Sequence, residues 1–220
     1  IRPYHDDEVK GVIDQLLKEP NFLKVLSVVY PKLDINVVIA QLRKISTIKD
    51  FQKEVVYYYL RLIINKTINK LSFSGLEHIE PDKKYLFMSN HRDIILDSAL
   101  MNVILFENDI KTTEIAIGSN LLIFPWIEML VKLNKSFVVR RNLPVKDMLM
   151  ASRELSSYIQ NTLLKTKHSV WIAQKEGRTK DGDDSTHSGL LKMIHMSSDE
   201  PVADYFKKIK LIPVSISYEV

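Results

Sequence analysis

The chain has 220 residues, of which 45% are hydrophobic and 26% charged, and this balance excludes a disordered or low-complexity protein. It contains no cysteine, which excludes disulfide scaffolds, thiolate metal sites and a cysteine nucleophile. The net charge of +4 is too small to indicate a nucleic-acid partner by itself, although it suits anionic phosphates, lipids or acidic carrier proteins.

Residues 1–71 are predicted to form a small N-terminal helical bundle. Apolar residues recur at the spacing of a helix face from Val9 to Leu17, and a second apolar face runs from Val37 to Leu42. The segment Thr47–Asp50 has the pattern of a capping box, and we expect it to open a long helix that continues through Ile64.

Residues 72–220 are predicted to form an α/β domain with a mixed sheet flanked by helices. Short apolar runs alternate there with longer helix-like segments, which is typical of strands joined by crossover helices. The strands are predicted at residues 85–88, 114–117, 136–139, 169–173 and 210–216. The chain lacks an initial methionine and ends inside a predicted strand, so we expect a piece of a longer protein whose α/β domain is truncated at its C-terminus.

The longest apolar stretch, residues 121–133, is too short for the roughly 20 residues of a membrane span. It also contains Pro125 and Glu128. We expect it to pack in the core or beneath the helical bundle; the alternative is an apolar rim that enters a bilayer or guides an acyl chain. The first residues lead into charge rather than an apolar core, so no signal peptide is predicted.

The first group of candidate catalytic residues lies in Phe87–Ser98, where a predicted strand runs into a polar break and then a helix. His91 lies near the expected helix start, and a histidine takes up a proton near neutral pH. A carboxylate such as Asp97 fixes its tautomer. The amides of Arg92 and Asp93 are expected to face a developing oxyanion. The alternative is a capping histidine beside a solvated aspartate.

Three further segments place polar or special residues at strand ends. Residues 135–141 end in two arginines, and residues 171–180 contain a Gly-Arg turn followed by a lysine. Arginine's planar fork suits phosphate, and glycine lets backbone amides approach a ligand, although basic residues at strand ends can also be simply solvated. The last segment carries a proline, which indicates an edge strand or a rim. The residues concerned are Arg140, Arg141, Glu176, Gly177, Arg178, Lys180 and Pro213.

Together and in this order, the four segments resemble the motifs of the glycerolipid acyltransferase family. Those motifs are an Asn-His followed by Asp, a Phe-hydrophobic-Arg block, a Glu-Gly or Gly-Gly-Arg block, and a Val/Ile-Pro strand. Residues 171–173 before Gly177 and Arg178 are especially similar to the soluble plastid glycerol-3-phosphate acyltransferases, which also carry a helical domain ahead of the α/β domain. The resemblance covers residues 72–220.

The resemblance implies an enzyme of phospholipid biosynthesis. It would move a fatty acyl group from acyl-CoA or acyl-carrier protein to glycerol-3-phosphate or 1-acylglycerol-3-phosphate, with no metal and no further cofactor. It implies a cytoplasmic protein, peripheral at the inner face of a membrane, with no nucleic-acid partner. Acceptors outside the glycerolipids, such as an acylated amino acid, stay open.

The resemblance also implies a role for each matching residue. His91 would be the general base and Asp97 would orient it. Arg140 and Arg178 would hold the acceptor phosphate, with Arg141 and Lys180 as further candidates. Gly177 would shape the turn, and Pro213 would form part of the far wall of the site.

The sequence departs from the family pattern in two places. Five residues, instead of four, separate His91 from Asp97, and one extra helical residue rotates a side chain by about 100°. The helix must therefore start later or bulge for Asp97 to reach His91, and Asp93 is the competing partner. Glu176 stands one position nearer to Arg178 than in the family form, which makes its place in the site an open question.

Two other classes of function fit parts of the sequence. A hard-metal hydrolase would use carboxylates and histidines of two loops. Its candidate ligands are His91, Asp93, Asp97, Asp181, Asp183, Asp184 and His187. A non-catalytic lipid-binding or membrane-docking module would use the apolar residues 121–130. The remaining histidines lack partner motifs and are predicted to be surface or strand-end residues: His5, His78, His168 and His195.

Overall fold

The computed structural model describes residues 1–166, 168–179 and 185–219. Within these ranges the chain forms two compact units. The first comprises Ile1–Ser72 together with Ser119–Val138; the second comprises Phe73–Gly118 together with the described residues from Val139 onward. The domain boundary expected between residues 71 and 72 remains a prediction.

The elements confirm an α/β chain preceded by helices. The helices are α1 (Asp6–Leu16), α2 (Pro20–Val29), α3 (Ile35–Leu42), α4 (Ile48–Phe51), α5 (Tyr58–Thr67), α6 (Leu96–Glu107), α7 (Pro125–Leu133), α8 (Val145–Asn161), α9 (Ser188–His195) and α10 (Val202–Lys208). The strands are β1 (Leu86–Ser89), β2 (Glu114–Gly118), β3 (Ser136–Val139), β4 (Val170–Ala173) and β5 (Leu211–Val214). Each strand lies within two residues of its predicted position.

The first unit is built on the predicted apolar faces. The apolar face from Val9 to Leu17, on α1 and the residue after it, is buried. The core of the first unit also contains Phe22 and Phe51. The side chain of Thr47 accepts the amide of Asp50 at 3.0 Å, so the predicted cap does open a helix. That helix contains a π-helical stretch, Gln52–Tyr57, between α4 and α5, which the periodicity did not predict.

The part of the apolar stretch that lies on α7 packs in the core of the first unit, whereas Ile123 and Phe124 ahead of it are exposed. Leu133 on α7 is fully buried, and Trp126, Met129 and Leu130 pack against the same core. The expectation that the stretch packs with the helical bundle is therefore confirmed for α7 but not for Ile123 and Phe124. Among the helices in the described ranges, none combines the length and the apolar composition needed to cross a bilayer.

Over the described residues, the strands form one five-stranded sheet in the order β3-β2-β4-β1-β5. β1 pairs in parallel with β4 and β5, and β2 pairs in parallel with β4. The expected mixed sheet is therefore corrected to a parallel one. The physical reason is that helices connect the strands, and a helical crossover returns the chain to the same end of the sheet.

The register between β1 and β4 positions the polar loops. Ser89 at the end of β1 lies opposite Ala173 at the end of β4. Both strands are buried along almost their whole length. Because the strands are parallel, the loops that follow them leave the sheet at the same edge, where ligands of open α/β sheets usually bind.

Candidate active site

The side chain of Asp93, in the loop after β1, caps the N-terminus of the helix that follows. One carboxylate oxygen of Asp93 accepts the backbone amides of Ile95 and Leu96, both at 2.8 Å. α6 therefore begins at Leu96, and residues 92–95 form a turn ahead of it. This is the later helix start that the five-residue spacing required.

The late start brings Asp97 to His91. The Nδ1 atom of His91 lies 2.9 Å from the Oδ2 atom of Asp97. Asp97 is completely buried, whereas the His91 side chain remains 14% exposed. Asp97 is thus the partner of His91 in the structure, and the carboxylate of Asp93 serves the helix N-terminus instead.

Asp97 accepts hydrogen bonds from four donors within the described residues. Its Oδ2 atom accepts the amides of Arg92 and Asp93 at 2.7 and 3.0 Å besides the contact to His91. Its Oδ1 atom accepts the hydroxyl of Tyr218 at 2.8 Å. Burial by itself would raise the pKa of Asp97, but the hydrogen bonds from His91, Tyr218 and the two amides outweigh burial and lower it. Asp97 is therefore an ionised acceptor.

The expected role of two amides is corrected by the same geometry. The amides of Arg92 and Asp93 were predicted to face an oxyanion, but both donate to the Asp97 carboxylate. An amide carries one hydrogen, so these two donors already have an acceptor. The two amides therefore hold the Asp97 carboxylate in place and do not bind the oxygen of a reacting carbonyl.

The tautomer of His91 follows from its partner. An ionised carboxylate only accepts, so the Nδ1 atom of neutral His91 carries the hydrogen and the Nε2 atom has a free lone pair. No described residue binds Nε2. The edge of the ring packs on Trp171 of β4, with ring centroids 6.3 Å apart, which restricts its orientation. The side chain of His91 is thus held by Asp97 and Trp171 with its Nε2 atom open.

The Gly-Arg turn after β4 is tied to the His91 loop. The amide of Gln174 donates to the carbonyl of Ser89 at 2.7 Å, and the amide of Thr179 donates to the carbonyl of His91 at 2.8 Å. Between these two bonds Gly177 has φ of +75°, a conformation that side chains disfavour. The turn predicted from Gly177 is therefore present beside the predicted base.

The predicted cations differ in what they contact. Arg141 pairs with Glu176 at 2.9 Å, and Arg140 pairs with Glu154 of α8 at 3.3 Å. Arg178 is exposed and has no ion-pair partner among the described residues. Lys180 lies outside the described residues. The ion pair between Arg141 and Glu176 brings the loop after β3 to the Gly-Arg turn.

Pro213 lies where the sequence placed it, on an edge strand. β5 is the last strand of the sheet, and Pro213 lies opposite Met88 of β1. A proline is tolerated on an edge strand because the side that faces away from the sheet has no neighbouring strand that needs an N–H donor.

Two contributors to the site were missed from the sequence. The chain was expected to end inside a strand, but β5 ends at Val214, and Tyr218 beyond it donates to Asp97 across a separation of 121 residues. Asn90, quoted in the motif without a role, exchanges two hydrogen bonds with the backbone of Ile216. The only local signal was the position of Asn90 beside His91, and Tyr218 had none.

His168 is exposed and lies just before β4, as expected for a surface or strand-end residue, but it also has a partner. Its Nδ1 atom lies 2.9 Å from a carboxylate oxygen of Glu114, whose side chain is 6% exposed. The other oxygen of Glu114 accepts the hydroxyl of Tyr158. Glu114 opens β2 and His168 precedes β4, so this group lies at the amino ends of the strands, away from the edge that carries His91.

The candidate ligands of the alternative metal site lie partly within the described residues. Within residues 1–166, 168–179 and 185–219, no group of three or more His, Asp or Glu side chains is placed to hold a metal ion. Asp181, Asp183 and Asp184 lie outside the described residues. His187 precedes α9 and its side chain is exposed.

A comparison with known proteins identifies a family for the part of the chain that carries this site. A family model described as Acyltransferase matches residues 70–217, which include every element of the site named above except Tyr218. A search of curated proteins gives no match.

Proposed function

Because a match over residues 70–217 spans most of the chain, the chain belongs to the acyltransferase family and is an acyltransferase, and we propose that its acceptor is a phosphorylated glycerol. In this proposal the enzyme moves a fatty acyl group from acyl-CoA or acyl-carrier protein to glycerol-3-phosphate or 1-acylglycerol-3-phosphate. The donor is a substrate, and the reaction uses no metal or separate cofactor.

The observation that carries the proposed mechanism is the open Nε2 atom of His91. In the first step the Nε2 atom takes the proton from the acceptor hydroxyl while the oxygen of that hydroxyl attacks the carbonyl carbon of the thioester. The resulting imidazolium is stabilised by Asp97, whose carboxylate stays ionised. The carbon–sulfur bond then breaks, and the leaving thiolate takes the proton from His91. The ester, the free thiol and the starting state of the enzyme result.

The choice of a phosphorylated acceptor depends on the cations around the turn. Arg178 offers an exposed guanidinium beside the backbone segment that is bonded to His91. Arg141 lies at the same turn through Glu176. A phosphate dianion binds guanidinium groups through charge-assisted hydrogen bonds, and we propose Arg178 as the first of its ligands and Arg141 as the second. Arg140 remains a proposed ligand as well.

A direct assay tests the acceptor. Palmitoyl-CoA and palmitoyl-carrier protein are each offered with glycerol-3-phosphate, 1-acylglycerol-3-phosphate, glycerol and an N-acylated amino acid, with and without EDTA. We expect ester formation with one or both phosphorylated acceptors and no effect of EDTA. Transfer only to the unphosphorylated acceptors would overturn the phosphorylated acceptor, and EDTA-sensitive hydrolysis without transfer would favour the hydrolase alternative.

We also propose that the enzyme works at the cytoplasmic face of a membrane and contacts it through the start of α8. Val145, Met148 and Leu149 lie on one helical face and are 85%, 53% and 55% exposed. The same face continues into Leu155 and Ile159, which are buried. An apolar helix face that is covered at one end and uncovered at the other suits the interface of a bilayer, from which a lipid acceptor is taken.

Replacing two of these residues tests the membrane contact. The double variant Met148→Ser, Leu149→Ser is expected to bind phosphatidylglycerol-containing vesicles at least about tenfold more weakly, because an apolar side chain removed from water contributes about 1.5–3 kcal/mol. Co-sedimentation measures this binding. Val28→Ser in the first unit, at a residue 78% exposed, is the control and should bind like wild type. Equal binding by all three proteins would contradict the contact.

A further inference from the structure

The segment that follows β5 is fixed to the residue beside His91. The amide of Ile216 donates to the side-chain oxygen of Asn90 at 2.7 Å, and the side-chain amide of Asn90 donates to the carbonyl of Ile216 at 2.8 Å. Asn90 is buried, so neither bond competes freely with water. These two bonds, called the Asn90 clamp below, fix the backbone at Ile216, two residues before Tyr218.

Tyr218 completes the contacts of the Asp97 carboxylate. Its hydroxyl donates to Oδ1 at 2.8 Å, whereas Oδ2 faces His91 and the two amides of the loop. The donation keeps negative charge on the oxygen away from His91 and resists rotation of the carboxylate about its last bond. Burial, together with the hydrogen bond to Asp97, raises the pKa of Tyr218, so the hydroxyl keeps its proton.

The charged and titratable groups on the segments that carry Tyr218, Asp97 and His91 come from three parts of the chain. The loop after β1 contributes Arg92 and Asp93, and the charge of Asp93 acts on Tyr218 through space. The turn after β4 carries Glu176 and Arg178 and is bonded to His91 through Thr179. Tyr218 is the contribution of the segment after β5.

We infer that Tyr218, held in place by the Asn90 clamp, is a positioning residue for the His91–Asp97 pair. It acts through Asp97, whose orientation and share of charge it sets. This inference rests on the proposed role of His91 as the base. It assigns a part in acyl transfer to a residue beyond the matched range 70–217.

The chain offers a matched control for the test. Tyr158 donates to a buried carboxylate, Glu114, whose second oxygen faces His168, so the group combines a tyrosine, a carboxylate and a histidine as Tyr218, Asp97 and His91 do, although His168 is more exposed than His91. Tyr158→Phe removes an equivalent hydrogen bond away from the edge that carries His91. A merely structural role of the tyrosine would give both variants the same phenotype.

The experiment compares Tyr218→Phe and Tyr158→Phe with wild type, using the full chain, by kcat, KM, the pH–rate profile and unfolding in denaturant. For Tyr218→Phe we expect kcat to fall about tenfold, the loss of one charge-assisted hydrogen bond, with little change in either KM. The acidic limb of the profile should move to higher pH. Without the hydroxyl more negative charge faces His91, which then holds its proton more firmly and becomes a free base only at higher pH.

Asn90→Ser provides a second variant that keeps the tyrosine hydroxyl but removes the clamp. It should move the acidic limb in the same direction, and no movement would remove Asn90 from the inference. Tyr158→Phe should keep the wild-type kcat and profile. If Tyr218→Phe keeps them too, or loses no more than Tyr158→Phe, the inference is overturned while the proposed function stands. If wild type itself shows no His91-dependent transfer, the proposed function fails first.

Discussion

His91→Ala is expected to lower kcat by at least about 10²- to 10⁴-fold, the usual contribution of a general base. In the proposed mechanism the Nε2 atom of His91, in the loop after β1, accepts the hydroxyl proton. The fold should survive the change, because Asp97 keeps the two amides and the hydroxyl of Tyr218 as donors when the imidazole is gone. The measurement is kcat at saturating donor and acceptor, with circular dichroism and unfolding in denaturant to show that the variant is folded.

His168→Ala is the matched control for this prediction. His168 has the same relation to a buried carboxylate, but it lies at the amino ends of the strands. We expect it to lose stability without losing turnover. Turnover near wild type in His91→Ala, or equal losses in both variants, would exclude His91 as the base.

Arg178→Ala is expected to raise the KM for the phosphorylated acceptor about 10- to 100-fold and to leave the KM for palmitoyl-carrier protein nearly unchanged. A hydrogen bond to a charged group contributes about 1.5–3 kcal/mol, and about 1.4 kcal/mol corresponds to a factor of ten. Arg178 is expected to contribute this in full, because no described carboxylate competes for its guanidinium. Steady-state kinetics, with one substrate varied at saturating levels of the other, measures both constants.

Two comparisons sharpen the prediction for Arg178. With glycerol as acceptor, the variant and wild type should have equal kcat/KM, because there is no phosphate to bind. Arg43→Ala in the first unit, another exposed arginine, should behave like wild type with every acceptor. A loss that affects the donor and the acceptor equally would remove the phosphate role from Arg178.

The parts of the site that were predictable are those encoded by neighbouring residues. The polar break after β1, the need for a late helix start before Asp97 and the left-handed turn at Gly177 are all local features. The expected oxyanion role of the Arg92 and Asp93 amides was wrong because the completed carboxylate contact uses those donors. A donor's final partner depends on the tertiary structure, and the sequence only shows that the donor exists.

The contacts that escaped prediction join residues far apart in the chain. Tyr218 is 121 residues from Asp97, and the bonds between Asn90 and Ile216 span 126 residues. The parallel direction of the strands was not predicted either, for a related reason. Each strand can be recognised from its own residues, but parallel pairing is set by the crossover between strands, which depends on the whole connection.

The chain passes between the two compact units three times, and this has a consequence for biosynthesis. The core of the first unit includes Leu133 of α7 beside residues from the first 72. A nascent chain from which α7 has not yet emerged therefore lacks part of the core of the first unit. The N-terminal helices can complete their packing only after β1, α6 and β2 of the other unit have been synthesised. The packing of the first unit is consequently completed only after part of the second unit has been synthesised, even though each unit has an apolar core of its own.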